Sequence, residues 1–156
     1  MMSDIHRRDA LRFAFAATAL GGGLLGRPGA AQAGTVFVDF GVAIRGADPV
    51  AFFTEGKAVE GFSRHKLEWQ GATWQFASAA NRDRFAADPT AYAPQYGGWC
   101  AWAMTRSDLA PTDPTAWLIS DGKLYLNYNA GTERRFKRDV PGNIAKANAA
   151  WAANYA

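Results

Sequence analysis

The chain predicts an α+β fold, a small antiparallel sheet built from two hairpins with helices packed on it, on three observations. Leu67 to Phe76 and Trp117 to Tyr128 each read as strand, tight turn, strand, with Gln70-Gly71 and Asp121-Gly122 at the tips. Helical stretches with cap and stop residues follow each hairpin. The segments between strand-like runs leave little room for right-handed crossovers, which disfavours a parallel sheet.

The first 33 residues read as an export leader. Arg7-Arg8 precedes Leu11 and Arg12, an apolar stretch runs from Phe13 to Leu25, Arg27-Pro28 breaks it, and Ala31-Gln32-Ala33 supplies a small-x-small cleavage pattern. The paired arginines mark the twin-arginine route, although His6 and Ala10 depart from its usual pattern. That route places the mature protein in the periplasm and carries chains that are already folded. The apolar stretch is too short and too glycine-rich, with Gly21-Gly22-Gly23, to serve as a membrane span. The expected organisation is therefore a twin-arginine signal peptide over 1–33 and one domain over 34–156, with no stable membrane insertion after cleavage.

Composition removes several function classes. The chain carries 17 Lys+Arg and 14 Asp+Glu. Four of these basic residues (Arg7, Arg8, Arg12, Arg27) and two of the acidic ones (Asp4, Asp9) lie in the leader. Residues 34–156 thus keep 13 and 12, a net charge of +1. The alkaline pI of about 9.2 is largely a property of the leader, and nucleic acid is not an expected partner. The domain is large enough for its own core, and all six tryptophans lie in it.

The elements follow in order. Thr35 to Val38 is a β-branched and aromatic run suited to an edge strand. Asp48-Pro49-Val50 opens one helical turn through Phe53, with Asp48 as cap and Pro49 at the first helical position. Lys57 to Glu60 is extended between Gly56 and Gly61. After the first hairpin, Ser78 caps a helix over 79–87, which Asp88-Pro89 stops, and Pro89 opens a further turn through Tyr92. Pro94 to Gly98 and the proline-rich 109–114 are loops. The second hairpin follows, then a basic amphipathic helix over 132–139. Pro141-Gly142 is expected to interrupt that helix before a last one over 143–151.

The residues of the first half resemble the YHS domain. Asp48-Pro49-Val50, a hairpin ending at Phe76, Ser78, and Phe85-Ala86-Ala87-Asp88-Pro89-Thr90-Ala91-Tyr92 follow that family's pattern over Ala47 to Tyr92. Tyr96-Gly97-Gly98-Trp99-Cys100-Ala101, Asp121 to Tyr128 and Asp139 to Ala147 look like an exported bacterial branch of it. Family members resemble small metal-binding domains that use cysteines. Carried over position by position, the three family cysteines fall on Ala51, Ala77 and Asn81. The resemblance thus implies the scaffold without its thiolate site, since thiolates are what select soft metals.

One soft donor remains. Cys100 follows Gly97-Gly98 and, if the segment is helical, shares a face with Met104. Together with His65, the only histidine outside the leader, these residues form a candidate metal set suited to copper as Cu(I). The competing reading is a buried structural thiol. Tyr96, Gly97, Gly98, Trp99 and Trp102 form a candidate ligand-binding surface rich in rings. No carboxylate pair, triad or phosphate loop marks a catalytic group. The expected function is an exported periplasmic binding or accessory module, not an enzyme, with metal handling through Cys100. The alternatives are an aromatic-lined pocket protein for a small organic ligand or electron-transfer partner, and a thiol-dependent enzyme.

Overall fold

Three left-handed turns set the strand pairing. In each, both tip residues take positive φ, as the favoured two-residue hairpin turn requires: Phe40-Gly41, Gln70-Gly71 and Asp121-Gly122. They close the pairs β1 (Val38–Asp39) with β2 (Val42–Ala43), β3 (Phe62–Trp69) with β4 (Ala72–Phe76), and β5 (Asp113–Ser120) with β6 (Lys123–Asn127). These elements belong to a computed structural model that describes residues 36–156. The leader assignment lies outside the described residues.

The α+β expectation holds, with a refinement. The two long hairpins do not join into one sheet; each is its own two-stranded antiparallel ladder, and β1–β2 is a third. The hairpins meet through side chains instead. Phe52, on α1 (Ala51–Thr54), stands edge-on to Trp117 of β5 at 5.2 Å between ring centroids. β6 separates two cores. Leu124 and Leu126 pack with Phe52, Trp74, Phe76 and Phe85, while Tyr125 between them packs with Tyr96, Met104 and Phe136. A strand buried on both faces needs apolar residues at successive positions, and Leu124-Tyr125-Leu126 supplies them.

The helices start where the caps stand. α2 (Ala79–Ala87) begins after Ser78, whose hydroxyl accepts from the Asn81 N–H. α3 (Pro89–Tyr92) follows Asp88, whose carboxylate accepts from the Ala91 N–H. α4 (Ala101–Met104) is a single turn, and α5 (Ala130–Phe136) opens on a capping box between Asn129 and Thr132. α6 (Val140–Asn154) differs from expectation. Pro141 lies inside its first turn rather than breaking it, because the first turn has no intrahelical use for an N–H, and Asp139 caps that turn through Gly142 N–H. β5 also starts earlier than expected, within the proline-rich stretch, where Asp113 pairs with Asn127 across a register shift. Pro49 sits in the turn before α1 rather than inside it. No helix among the described residues is long and apolar enough to cross a membrane.

Candidate functional site

Asp48 is fully buried, and its carboxylate is the centre of the first half of the domain. Oδ1 accepts from the Val50 and Ala51 N–H groups at 2.8 and 3.3 Å. Oδ2 accepts from the Ala77 N–H at 2.9 Å and from Asn81 Nδ2 at 2.7 Å. One side chain thereby ties the start of α1 to the end of β4 and to α2. Four donors on one buried carboxylate meet the requirement that a buried charge be fully hydrogen-bonded. Asp48 is not the N-cap residue that the sequence predicts, since Val50 holds that position; its carboxylate instead receives the N–H groups of Val50 and Ala51, two and three residues further along the chain.

The aromatic segment is built around the 3-10 turn Gln95–Gly98, in which Tyr96 and Gly97 are left-handed. Tyr96 is buried; its hydroxyl donates to Asn148 Oδ1 of α6 at 2.9 Å and its ring packs against Tyr125 and Trp151. Burial first, and the nearby Tyr125 second, raise its pKa well above the ordinary tyrosine value. Gly97 O accepts from the Phe37 N–H. Gly98 O accepts from the Thr112 hydroxyl, and at φ +85° a Cβ there would meet Ile44 Cγ2 at 2.5 Å. These three residues of the candidate surface hold the loop in place.

Cys100 is 1% exposed, and its Sγ accepts from the Tyr128 N–H at 3.2 Å. Met104 is fully buried, and its N–H donates to the Cys100 carbonyl at 3.0 Å, so the two do stand one turn apart. His65 lies elsewhere. It sits on β3, which packs on β4 and α2, whereas Cys100 and α4 pack on α5, α6 and β6. The expected Cys100, Met104 and His65 set for copper is therefore not assembled. The physical reason is that the thiol and thioether are committed to the core while the histidine stays on a separate hairpin beside Arg64, whose Nε donates to it at 3.2 Å. Among the described residues no group of three or more His, Cys, Asp or Glu side chains is arranged to hold a metal ion.

Three buried donors in this region find no acceptor among the described residues: Trp99 Nε1, Trp102 Nε1 and Asn127 Nδ2. The Asn127 Oδ1 accepts from the Trp102 N–H at 3.3 Å, so Trp102 and Asn127 are direct neighbours. With the Cys100–Tyr128 contact, this pins segment 99–102 onto the end of β6. Phe37 packs tilted against Trp99 at 5.0 Å between ring centroids, and the Arg106 guanidinium lies over the Trp102 ring at 5.3 Å. A buried N–H without an acceptor costs about 1–3 kcal/mol, and native folds rarely keep several together. The sequence reading found Trp99 and Trp102 but missed Asn127, whose only signal was a polar residue inside the run Leu124-Tyr125-Leu126-Asn127.

Residues 50–96 match the family model of the YHS domain. This part of the chain is similar to that domain. No curated protein and no solved structure matches the chain. The second-half motifs, from Gly97 on, lie beyond the matched residues.

Ala51, Ala77 and Asn81, the positions onto which the resemblance carries the family's cysteines, all donate to the Asp48 carboxylate, two through backbone N–H and one through its side chain. The scaffold brings the three positions to one point. What occupies that point here is a hydrogen-bonded carboxylate and carboxamide, with no thiolate for a soft metal.

Proposed function

We propose that this protein is an exported, periplasmic binding module of YHS type that takes a small organic ligand bearing hydrogen-bond acceptors, such as carbonyl or carboxylate oxygens, at Trp99, Trp102 and Asn127. The export assignment rests on the twin-arginine motif. The single observation that carries the ligand reading is the trio of buried donors with no hydrogen-bond acceptor among the described residues. All three are donors, so an acceptor-rich molecule is their chemical complement. The surrounding rings supply apolar contact, and Arg106 supplies positive charge beside Trp102.

Metal handling through Cys100 draws less support from this arrangement, because the sulfur is buried and already accepts from the Tyr128 N–H, and His65 stands on a separate hairpin. A thiol-dependent reaction meets the same obstacle, since a nucleophilic sulfur must reach its substrate.

The test is native mass spectrometry of the protein recovered from its producing host, compared with the Trp102→Phe and Asn127→Leu variants. The expected result is a non-covalent organic adduct on the wild type that either substitution depletes. Adduct-free wild-type protein whose tryptophan emission is unchanged by host small-molecule extract overturns the reading. Stoichiometric Cu(I) uptake abolished by Cys100→Ala would restore the thiol as the site.

A further inference from the structure

A second feature, independent of the aromatic segment, lies on the other side of the Ile44–Gly46 turn. Arg45, Ala47, Ala58, Val59, Glu60 and Pro114 line an open cleft of about 180 Å³. That is roughly six waters' share of liquid volume, too small for a drug-sized molecule.

The backbone here is held in an unfavourable form. Ile44, Arg45 and Gly46 are consecutively left-handed, with φ of 44°, 58° and 77°. A β-branched residue in that region is a true outlier, and such residues persist only where the surroundings over-determine them. The strain is stabilised from one side: Ile44 is fully buried and packs where Gly98 leaves space for it. Its consequence is that Arg45 turns outward at the cleft.

Arg45 is fixed but not saturated. Its Nε donates to Asp39 Oδ2 at 2.9 Å, while neither terminal amino group hydrogen-bonds to the described residues. The free fork is the part of arginine that takes a carboxylate in bidentate fashion. Asp113, whose carboxyl also feels Arg45, is occupied by Thr115, donating through both N–H and hydroxyl. Glu60 shares the cleft, yet it forms no ion pair with Arg45 or with any other described residue. Two exposed side chains of opposite charge thus line one open cleft beside Ala47, Ala58, Val59 and Pro114, and form no ion pair with each other.

We propose that this cleft binds a small zwitterion, with its carboxylate on the terminal amino groups of Arg45 and its ammonium on Glu60. Asp39 is the positioning residue that holds the guanidinium by Nε. The partner class is amino-acid-like molecules carrying one carboxylate and one amine.

Isotope-labelled full chain titrated by nuclear magnetic resonance with glycine, with γ-aminobutyrate, and with acetate or methylammonium as single-charge controls tests this. Saturable shifts confined to the amides of Arg45, Ala47, Val59 and Glu60 are expected with one or both zwitterions. Apparent affinity should fall about tenfold or more in both Arg45→Gln and Glu60→Gln, with the remaining spectrum unchanged as proof of folding. Acetate binding as well as the zwitterions, retention of binding in either folded variant, or no shift with any probe overturns the proposal. None of these outcomes bears on the Trp102 and Asn127 ligand, whose adduct is read separately by mass.

Discussion

Replacing Asp48 by asparagine changes almost no volume and should nonetheless cost two of its four hydrogen bonds. The carboxylate takes two donors on each oxygen: Val50 and Ala51 N–H on one, Ala77 N–H and Asn81 Nδ2 on the other. A carboxamide has a single acceptor oxygen. Whichever way it turns, two hydrogen bonds are lost and its NH₂ faces two other donors. Hydrogen bonds to a charged group are worth about 1.5–3 kcal/mol each, so the loss is about 3–6 kcal/mol. That is a large share of the roughly 5–15 kcal/mol that holds a domain together. In urea unfolding followed by tryptophan emission, with a slope near 1.5 kcal/mol/M, the midpoint should fall by about 2 M or more. Asn81→Ala removes only one of the four bonds and should cost about half as much or less. A midpoint shift below about 0.5 M for Asp48→Asn, at unchanged slope, would refute the claim that this carboxylate organises the segment.

Other outcomes follow from the same contacts. Cys100 in the folded protein should be inert to a disulfide reagent and react fully once denatured, and Cys100→Ala should cost only about 1–2 kcal/mol for a lost Tyr128 contact and a small void; rapid native reactivity would contradict its burial. Gly98→Ala should lose about 2–4 kcal/mol in chemical unfolding, combining the left-handed backbone with overpacking against Ile44, and a neutral result would mean that the turn can open. Tyr96 and Tyr125 both titrate above the ordinary tyrosine range, mainly because burial penalises the charged form. A raised folded-state pKa means stability fully present below about pH 10 and lost as pH climbs towards the folded value. Unfolding midpoints measured from pH 8 to 12 should fall steeply above 10, less so in Tyr96→Phe, and a flat profile would count against burial of these phenols.

Local chemistry wrote much of this fold into the chain. The Gln70-Gly71 and Asp121-Gly122 turns, the cap at Ser78, and the stop at Asp88-Pro89 act within a few residues, so their reading requires nothing distant. The YHS-like pattern was equally legible over Ala47 to Tyr92, and the family match over residues 50–96 overlaps most of it. Pro141 was misplaced because a proline that opens a helix and one that breaks it look alike until the cap is located.

The rest was settled by contacts across the chain. Whether Cys100 served chemistry or packing depended on what surrounded it, and Tyr128, twenty-eight positions away, is what closes on its sulfur. His65 carried no sign of standing apart from that thiol. Asp48 read only as a cap candidate, and its role as the hub for Ala77 and Asn81 arises only when β4 and α2 return to it, 29 and 33 positions along the chain. Asn127 and Arg45 gained meaning in the same way, one from a helix turn that buries its amide, the other from a strained backbone that turns it towards Glu60. Residue order therefore determined the turns, the caps and the missing thiolates, because those depend on neighbours in the chain. Burial, pairing and orphaned donors belonged to the tertiary structure, because desolvation is a property of everything that packs around an atom.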